Sequence, residues 1–304
     1  MTASFSVLLT VVDGGAALER CLEGLRAQQD APPLEILVPY DDTQAAIAQL
    51  APRYPEARFL PLGRVATARD AASAEGQHEL FDRRRAAGLA AATGELVAIL
   101  EDRGVPRPDW ARRMATLHAE LPHAAIGGAI EHGRTASLNW AVYFCDFGRY
   151  QLPFAAGPRP YVSDVNICYK RRALEQTRTL WAERYHETTV HWALLRAGEV
   201  LYLSPEVAVD QHRDGLGLGA LLGERLGWGR LFAYTRARET GLGKRLVLAA
   251  LAPVLPFVLF ARLFRDRLAK GRNVGAFLRA SPAILLLLGS WSAGECLGYL
   301  TGRP

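Results

Sequence analysis

Residues 5–12, FSVLLTVV, form a continuous apolar and β-branched run that stops at Asp13-Gly14-Gly15, the pattern of a strand buried on both faces. Leu18, Cys21, Leu22 and Leu25 follow at i, i+3, i+4 and i+7 and predict an amphipathic helix. The strand pattern returns in LEILVPY (34–40), halted by Asp41-Asp42. An alanine-rich helix is expected over 44–50 and a short strand around 59–62. A helix over 82–94, with the basic start DRRR, leads into a strand at 95–100. This alternation predicts an α/β fold, Rossmann-like, with a mostly parallel central sheet and helices on both faces. In such sheets ligands lie beyond the carboxyl ends of the strands. Asp13, Asp41, Asp42, Glu101 and Asp102 all fall there.

The stretch from about 125 to 215 is less regular. AAIGGAIEHG and SDVNICYKRRAL read as strands, the second running into a helix, and a helix stopping at Gly198 precedes another strand. The last part differs again. Residues 246–264 and 282–300 are each 19 residues long and strongly apolar. Arg225, Arg230, Arg236, Arg238, Lys244 and Arg245 precede the first segment. Arg265, Arg267, Lys270, Arg272 and Arg279 stand between the two. Simple spanning would carry one basic cluster across the bilayer, against the positive-inside tendency. Pro253 and Pro256 also break the first segment, and Glu295 interrupts the second. A re-entrant hairpin or interfacial helices are expected, with both basic clusters on anionic lipid headgroups at the cytoplasmic face. Two-span insertion and a buried helical pair are the alternatives.

Composition narrows the class. With 304 residues, half of them hydrophobic, the chain is folded rather than disordered. A net charge of +5 gives no ground for a nucleic-acid partner. Cys21, Cys145, Cys168 and Cys296 lie far apart without a CxxC pair, so neither a zinc ribbon nor a disulfide framework is expected. The opening MTASFSVLLTVVDGG lacks a basic leader, and no signal peptide is expected. The GxGxxG fingerprint is absent, which disfavours a dinucleotide-dependent oxidoreductase.

Over roughly residues 5–215 the order and spacing of these segments resemble the family 2 glycosyltransferases, which have the GT-A fold and use nucleotide-sugar donors. SVLLTVVDGGAALERCLEGLRAQ resembles their opening strand, loop and helix, with Asp13 where Asn is common. LEILVPYDDT resembles the second strand, Asp41 matching its second acid and Tyr40 standing in place of the first. RRRAAGLAAATGELVAILED resembles the helix and strand leading to the metal-binding DxD motif. There Arg85 matches a basic residue near the diphosphate and Glu101 the first acid, while Arg103 occupies the third position. DVNICYKRRAL resembles the acceptor-side segment, with Asn166 in the matching place. YHETTVHWALLRAG resembles the helix bearing the catalytic base, which assigns that role to Glu187, with His186 before it in place of an acid. The tail, with GECLGYLTG, resembles that of membrane-associated members. The division expected is a GT-A domain over 1–215 and a basic, membrane-associated helical region over 216–304.

The resemblance implies an inverting transfer of a sugar to a lipid-linked or polysaccharide acceptor. Glu187 takes the proton of the attacking hydroxyl. Asp13, Asp41, Arg85, Glu101, Asp102 and Arg103 face the donor, Asn166 and Trp192 the acceptor. The leaving diphosphate needs its charge stabilised. A Mg²⁺ or Mn²⁺ ion held by Asp102 or Glu101 with His212 is one route, although Gln211 competes for the histidine's place. Guanidinium groups from Arg103, Arg85, Arg213, Arg225 and Arg230 are the other. An arginine beside Asp102 repels a divalent ion by a few kcal/mol at an effective dielectric of about 20. Alternatively Arg103 simply pairs with Glu101 or Asp102. Trp110, Trp140, Trp192 and Trp228 are candidate sugar platforms or core residues. A degenerate nucleotide- or glycan-binding partner subunit is the rival to an enzyme.

Overall fold

The computed structural model describes residues 4–71, 73–237 and 240–303; Arg238 of the first basic cluster lies outside the described residues. In chain order the elements begin with β1 (Phe5–Thr10), α1 (Gly15–Arg26), β2 (Leu34–Tyr40), a 3-10 helix (Asp42–Arg53) and β3 (Ala57–Pro61). They continue with α2 (Ala74–Ala91), β4 (Leu96–Glu101), β5 (Gly104–Pro106), α3 (Trp110–Glu120), β6 (Ala125–His132) and α4 (Ser137–Asp146). Next are β7 (Gly157–Pro158), β8 (Asn166–Lys170), α5 (Arg171–Gln176), α6 (Arg178–Trp181), α7 (Glu187–Arg196) and β9 (Leu201–Gln211). The last are α8 (Leu218–Ala237), α9 (Leu242–Leu251), α10 (Leu255–Lys270) and α11 (Val274–Thr301).

The fold is α/β, but its sheet is mixed rather than mostly parallel. The strand order is β3-β2-β1-β4-β8-β6-β9-β5, with β7 on β9. β1 runs parallel to β2 and β4, and β2 parallel to β3. The β4–β8, β8–β6, β9–β5 and β9–β7 pairs are antiparallel. The reversal comes from β8, which inserts between β4 and β6 and runs against both. The alanine-rich segment after β2 also departs from expectation. It winds as a 3-10 helix with Pro52 inside it and non-helical dihedrals at Gln44.

Chain contacts divide the molecule into two compact units. One joins the segment up to Glu131 with Leu152–His212; the other joins His132–Gln151 with the segment from Arg213 on. The expected boundary near 215 therefore misses residues 132–151, which belong with the C-terminal helices.

In the first unit, Val7, Leu8 and Leu9 of β1 and Val97 to Leu100 of β4 have no exposed surface. Burial of each large aliphatic side chain contributes about 1.5–3 kcal/mol. Gly88 lets α2 lie directly on β1, since a Cβ there would stand 2.1 Å from Leu8 Cδ1. That approach carries Arg84 and Arg85, one turn earlier, to the carboxyl end of β1.

In the second unit, α8 and α11 touch backbone to backbone. A Cβ on Gly229 would meet the Trp291 carbonyl oxygen at 2.1 Å, and one on Gly294 the Leu226 oxygen at 2.1 Å. Gly298 closes on the Arg230 carbonyl oxygen in the same way. Small residues four apart that admit a helix this closely are a device of membrane helix pairs. Gly271, left-handed at φ 63°, ends α10, and Asn273, at φ 58°, starts α11, making a tight helical hairpin. Leu242–Lys270 and Val274–Thr301 are long and apolar enough to cross a membrane, the mean hydropathy of an 18-residue stretch reaching 2.2 in the first and 1.5 in the second. The first is interrupted by a 3-10 turn at Ala252–Val254, where Pro253 stands.

Several basic residues expected at headgroups are instead held inside this unit. Arg225 forks onto Asp146 at 2.6 and 2.8 Å. Arg267, fully buried, donates to the Gly148 carbonyl at 2.7 Å. Lys270 bonds the carbonyls of Gly148, Arg149 and Gln151. Arg245 caps α11 through the Tyr299 carbonyl. Lys244, Arg265, Arg272 and Arg279 remain exposed.

Candidate functional site

The strand ends of the first unit are brought together by register. Thr10 of β1 pairs with Glu101 of β4, and Leu100 of β4 with Asn166 of β8. Gly104 pairs with Gln211. The loops after β1 and β4, the residues before β8 and the end of β9 therefore meet along one edge of the sheet.

Asp102 organises the first of these loops. Its Oδ1 accepts the N–H of Val12 at 3.1 Å, and its Oδ2 accepts those of Asp13 at 3.0 Å and Gly14 at 2.7 Å. Gly14 and Gly15 take φ of 67° and 46°, a turn that residues with a Cβ rarely adopt. Burial pushes Asp102 up to about 6 against those N–H bonds. In this structure Asp102 holds the loop after β1.

Arg103 forks onto Asp13, Nε to Oδ2 at 2.8 Å and Nη2 to Oδ1 at 2.5 Å. Its expected partners, Glu101 and Asp102, are not the ones it bonds. Glu101 turns the other way, toward Arg85 at 3.6 Å and the Gln211 amide at 3.5 Å.

Arg85 is the hub of a second cluster. Buried under the sheet edge, it lies 2.6 Å from Asp164 Oδ2, donates to Thr10 Oγ1 at 3.1 Å, and stacks 4.0 Å over the Phe81 ring. The main-chain N–H of Asp164 in turn donates to Glu187 Oε2 at 3.1 Å. Glu187 opens α7, where the helix dipole favours its anion. Burial nevertheless pushes Glu187 up to about 7, opposed by Arg85 and the Asp164 N–H. Burial and the neighbouring Asp164 raise Glu101, with Arg85 opposing. Asp82, one turn before Arg85's face on α2, is pushed up to about 6 by burial. A single buried guanidinium thus serves several carboxylates, and those it cannot fully satisfy stay easy to protonate.

Sequence reading missed Asp164 and Asp82. The signal for Asp164 was partial, an acid just ahead of a predicted strand whose pairing the sequence did not show. That for Asp82 was absent, since DRRR reads as an ordinary helix start.

Other expected site residues are committed elsewhere. Asp41 caps the 3-10 helix through the Thr43 N–H at 2.7 Å and hydroxyl at 2.6 Å, and pairs with buried Arg84 at 3.0 Å. Asn166 is fully buried, accepting from Trp110 Nε1 at 2.8 Å and donating to the Ala129 carbonyl at 2.9 Å. It and Trp110 are core, not an acceptor surface. Trp192 is 58% exposed on α7. His191 faces Tyr169, its Nε2 2.8 Å from the hydroxyl, and burial lowers it to about 4. Arg213 pairs with Glu224 at 2.8 Å in the second unit, and Arg225 with Asp146.

The residues expected to hold a divalent metal do not form a set. Asp102 commits both oxygens to main-chain N–H groups, and Glu101 is turned toward Arg85 and Gln211. Among the described residues no group of three or more His, Cys, Asp or Glu side chains is arranged to hold a metal.

No protein-family model matches the chain, and no curated protein matches it either. What the coordinates define is an α/β protein with a mixed sheet, an acid–arginine cluster at one sheet edge, and an apolar helical hairpin.

Proposed function

We propose that the chain is an inverting glycosyltransferase of the GT-A type, akin to family 2, that acts at a membrane surface. The observation that carries this reading is Glu187: a carboxylate oriented by the Asp164 N–H, pushed up to about 7, beside the strand ends where the resemblance expects donor and acceptor. A base with that affinity takes a proton efficiently near neutral pH. Glu187 removes the proton of the acceptor hydroxyl while its oxygen forms a bond to the anomeric carbon. On the opposite face the bond to the diphosphate breaks and the pair of electrons leaves with the phosphate oxygen. Attack and departure on opposite faces invert the anomeric centre.

A membrane-proximal acceptor, lipid-linked or polysaccharide, is favoured by the hairpin α10–α11 and by the large apolar side chains exposed along α9 and α10, Leu242, Leu246, Phe257 and Val258 among them. Such an apolar surface suits the acyl region beneath headgroups, with Lys244, Arg265, Arg272 and Arg279 as contacts for anionic lipids at the cytoplasmic face. A re-entrant or interfacial hairpin accommodates the proline-broken first segment.

The test is turnover of the full chain in detergent or nanodiscs with a panel of UDP- and GDP-sugars and membrane-lipid extract. Product formation that Glu187→Gln abolishes supports the reading. Full turnover by that variant removes Glu187 as the base. A second reading, a non-catalytic nucleotide- or glycan-binding subunit, draws on the commitment of Asp41 and Asp102 to internal hydrogen bonds. Saturable nucleotide binding without turnover across the panel would favour it.

A further inference from the structure

We infer that this site binds the diphosphate of its donor without a divalent cation, the Arg103 guanidinium supplying the positive charge. The inference rests on the glycosyltransferase reading and concerns the same site. Its ground is a mismatch between the ligand set which that reading would ask for and the side chains present. Of the acids at the end of β4, Asp102 is turned inward and accepts the Val12, Asp13 and Gly14 N–H groups. That leaves one lone pair, on Oδ1, so Asp102 can meet an ion at a single point only, and the Arg103 charge beside it repels a divalent ion. Glu101 is turned toward Arg85 and Gln211. The next position, where a third acid would complete a cation site, carries a guanidinium of fixed charge.

Arg103 is built to act in the ion's stead. The Asp13 fork uses Nε and Nη2, fixing the plane of the group, and the Arg103 carbonyl holds its backbone through the His212 N–H. Nη1 has no protein partner among the described residues. With the side chain partly solvent-accessible, Nη1 and the second hydrogen of Nη2 are left for phosphate oxygens. A cation held in place by the fold needs no reorganisation as charge develops on the leaving group.

The experiment is calorimetric titration of the full-length protein with UDP and with GDP, in EDTA and again with Mn²⁺ or Mg²⁺. The expected result is binding of one nucleotide with Kd unchanged within about threefold between the two conditions. Arg103→Ala weakens it about tenfold or more in EDTA, the loss of one charge-assisted hydrogen bond. Arg103→Asp abolishes binding in EDTA. Wild-type binding that is lost in EDTA and restored by Mn²⁺ overturns the inference while leaving the glycosyltransferase reading in place. So does Arg103→Ala binding like wild type in EDTA. Absence of nucleotide binding in every condition overturns both. Melting curves check that each variant is folded, and if Arg103→Ala is not, the wild-type comparison decides alone.

Discussion

The main-chain N–H of Asp164 donates to Oε2 of Glu187 across 3.1 Å, while the Asp164 side chain grips Arg85 at 2.6 Å. One residue therefore fixes the direction of the candidate base with its backbone and the position of the buried cation with its carboxylate. Burial raises Glu187 to about 7, and Arg85 keeps it from rising further. As general base the group works only when ionised. The turnover rate under subsaturating donor and acceptor is thus expected to rise about tenfold per pH unit below 7 and level off above it. Glu187→Gln should lower turnover by about 10²–10⁴-fold and erase that limb, while nucleotide affinity stays as in wild type. A flat profile from pH 5 to 8 with high activity would remove Glu187 from the role.

The same cluster sets a stability dependence of the opposite kind. Glu187 at about 7, and Asp82 and Asp102 at about 6, hold protons in the folded state that they lose more readily when unfolded, near ordinary carboxylate values. Between roughly pH 4 and 7 the native state therefore binds more protons, and stability falls as pH rises through that window. Glu79 pulls the other way: its burial is outweighed by the Ala68 N–H and by Arg83 and Arg184, so it is lowered, and its contribution is lost only as pH falls below the normal range. The melting temperature should thus be highest in mildly acidic buffer and lower at pH 8. Glu187→Gln should flatten this slope, as scanning calorimetry at several pH values would show; a melting point that climbs steadily to pH 8 contradicts it.

Gly88 gives a test of the scaffold independent of any chemistry. A methyl group there would stand 2.1 Å from Leu8 Cδ1 and 3.2 Å from Leu8 Cγ, in a strand with no spare volume. Gly88→Ala should cost about 1–3 kcal/mol in urea denaturation, overpacking outweighing the better helix propensity of alanine. Adding Leu8→Ala should make the two changes non-additive, since the smaller side chain removes the clash. Simple additivity would mean that α2 does not lie on β1 as closely as described.

The longer strands, the order of the first half and the apolar C-terminal segments were legible because each is written in local periodicity, whereas the short β5 and β7 were not. β1 and β4 are unbroken apolar runs, and Asp13, Glu101 and Asp102 follow from where those runs stop. The mixed sheet was not legible: parallel or antiparallel pairing of β8 with β4 depends on how a long, irregular segment returns. Nor were partners. An aspartate after a strand looks the same whether it faces a ligand or, like Asp41, a buried arginine 43 positions later, such as Arg84. Asn166 was expected on the acceptor side, yet the Trp110 indole N–H claims it in the core. The basic clusters beside the hairpin misled for a similar reason, since charge counting cannot tell Arg267, locked onto the Gly148 carbonyl, from exposed Arg265.

The exposed apolar face of α9 and α10 carries the last prediction. Leu246 is 59% and Phe257 66% exposed, so most of each side chain faces outward. In water such a surface is unfavourable by about 25 cal/mol per Å², whereas in the acyl region it is satisfied. The purified protein should float with vesicles of phosphatidylcholine and phosphatidylglycerol and resist carbonate extraction. Replacing one large apolar side chain forfeits about 1.5–3 kcal/mol of burial, so Phe257→Asp should weaken vesicle partitioning about tenfold or more. Its melting temperature in detergent should change little, because two thirds of Phe257 is exposed. Raising salt should weaken binding only in part, through Lys244, Arg265 and Arg279. If the wild-type chain instead stays monodisperse without detergent and ignores both neutral and anionic vesicles, the hairpin is no membrane device. The exposed face would then have to be covered by protein.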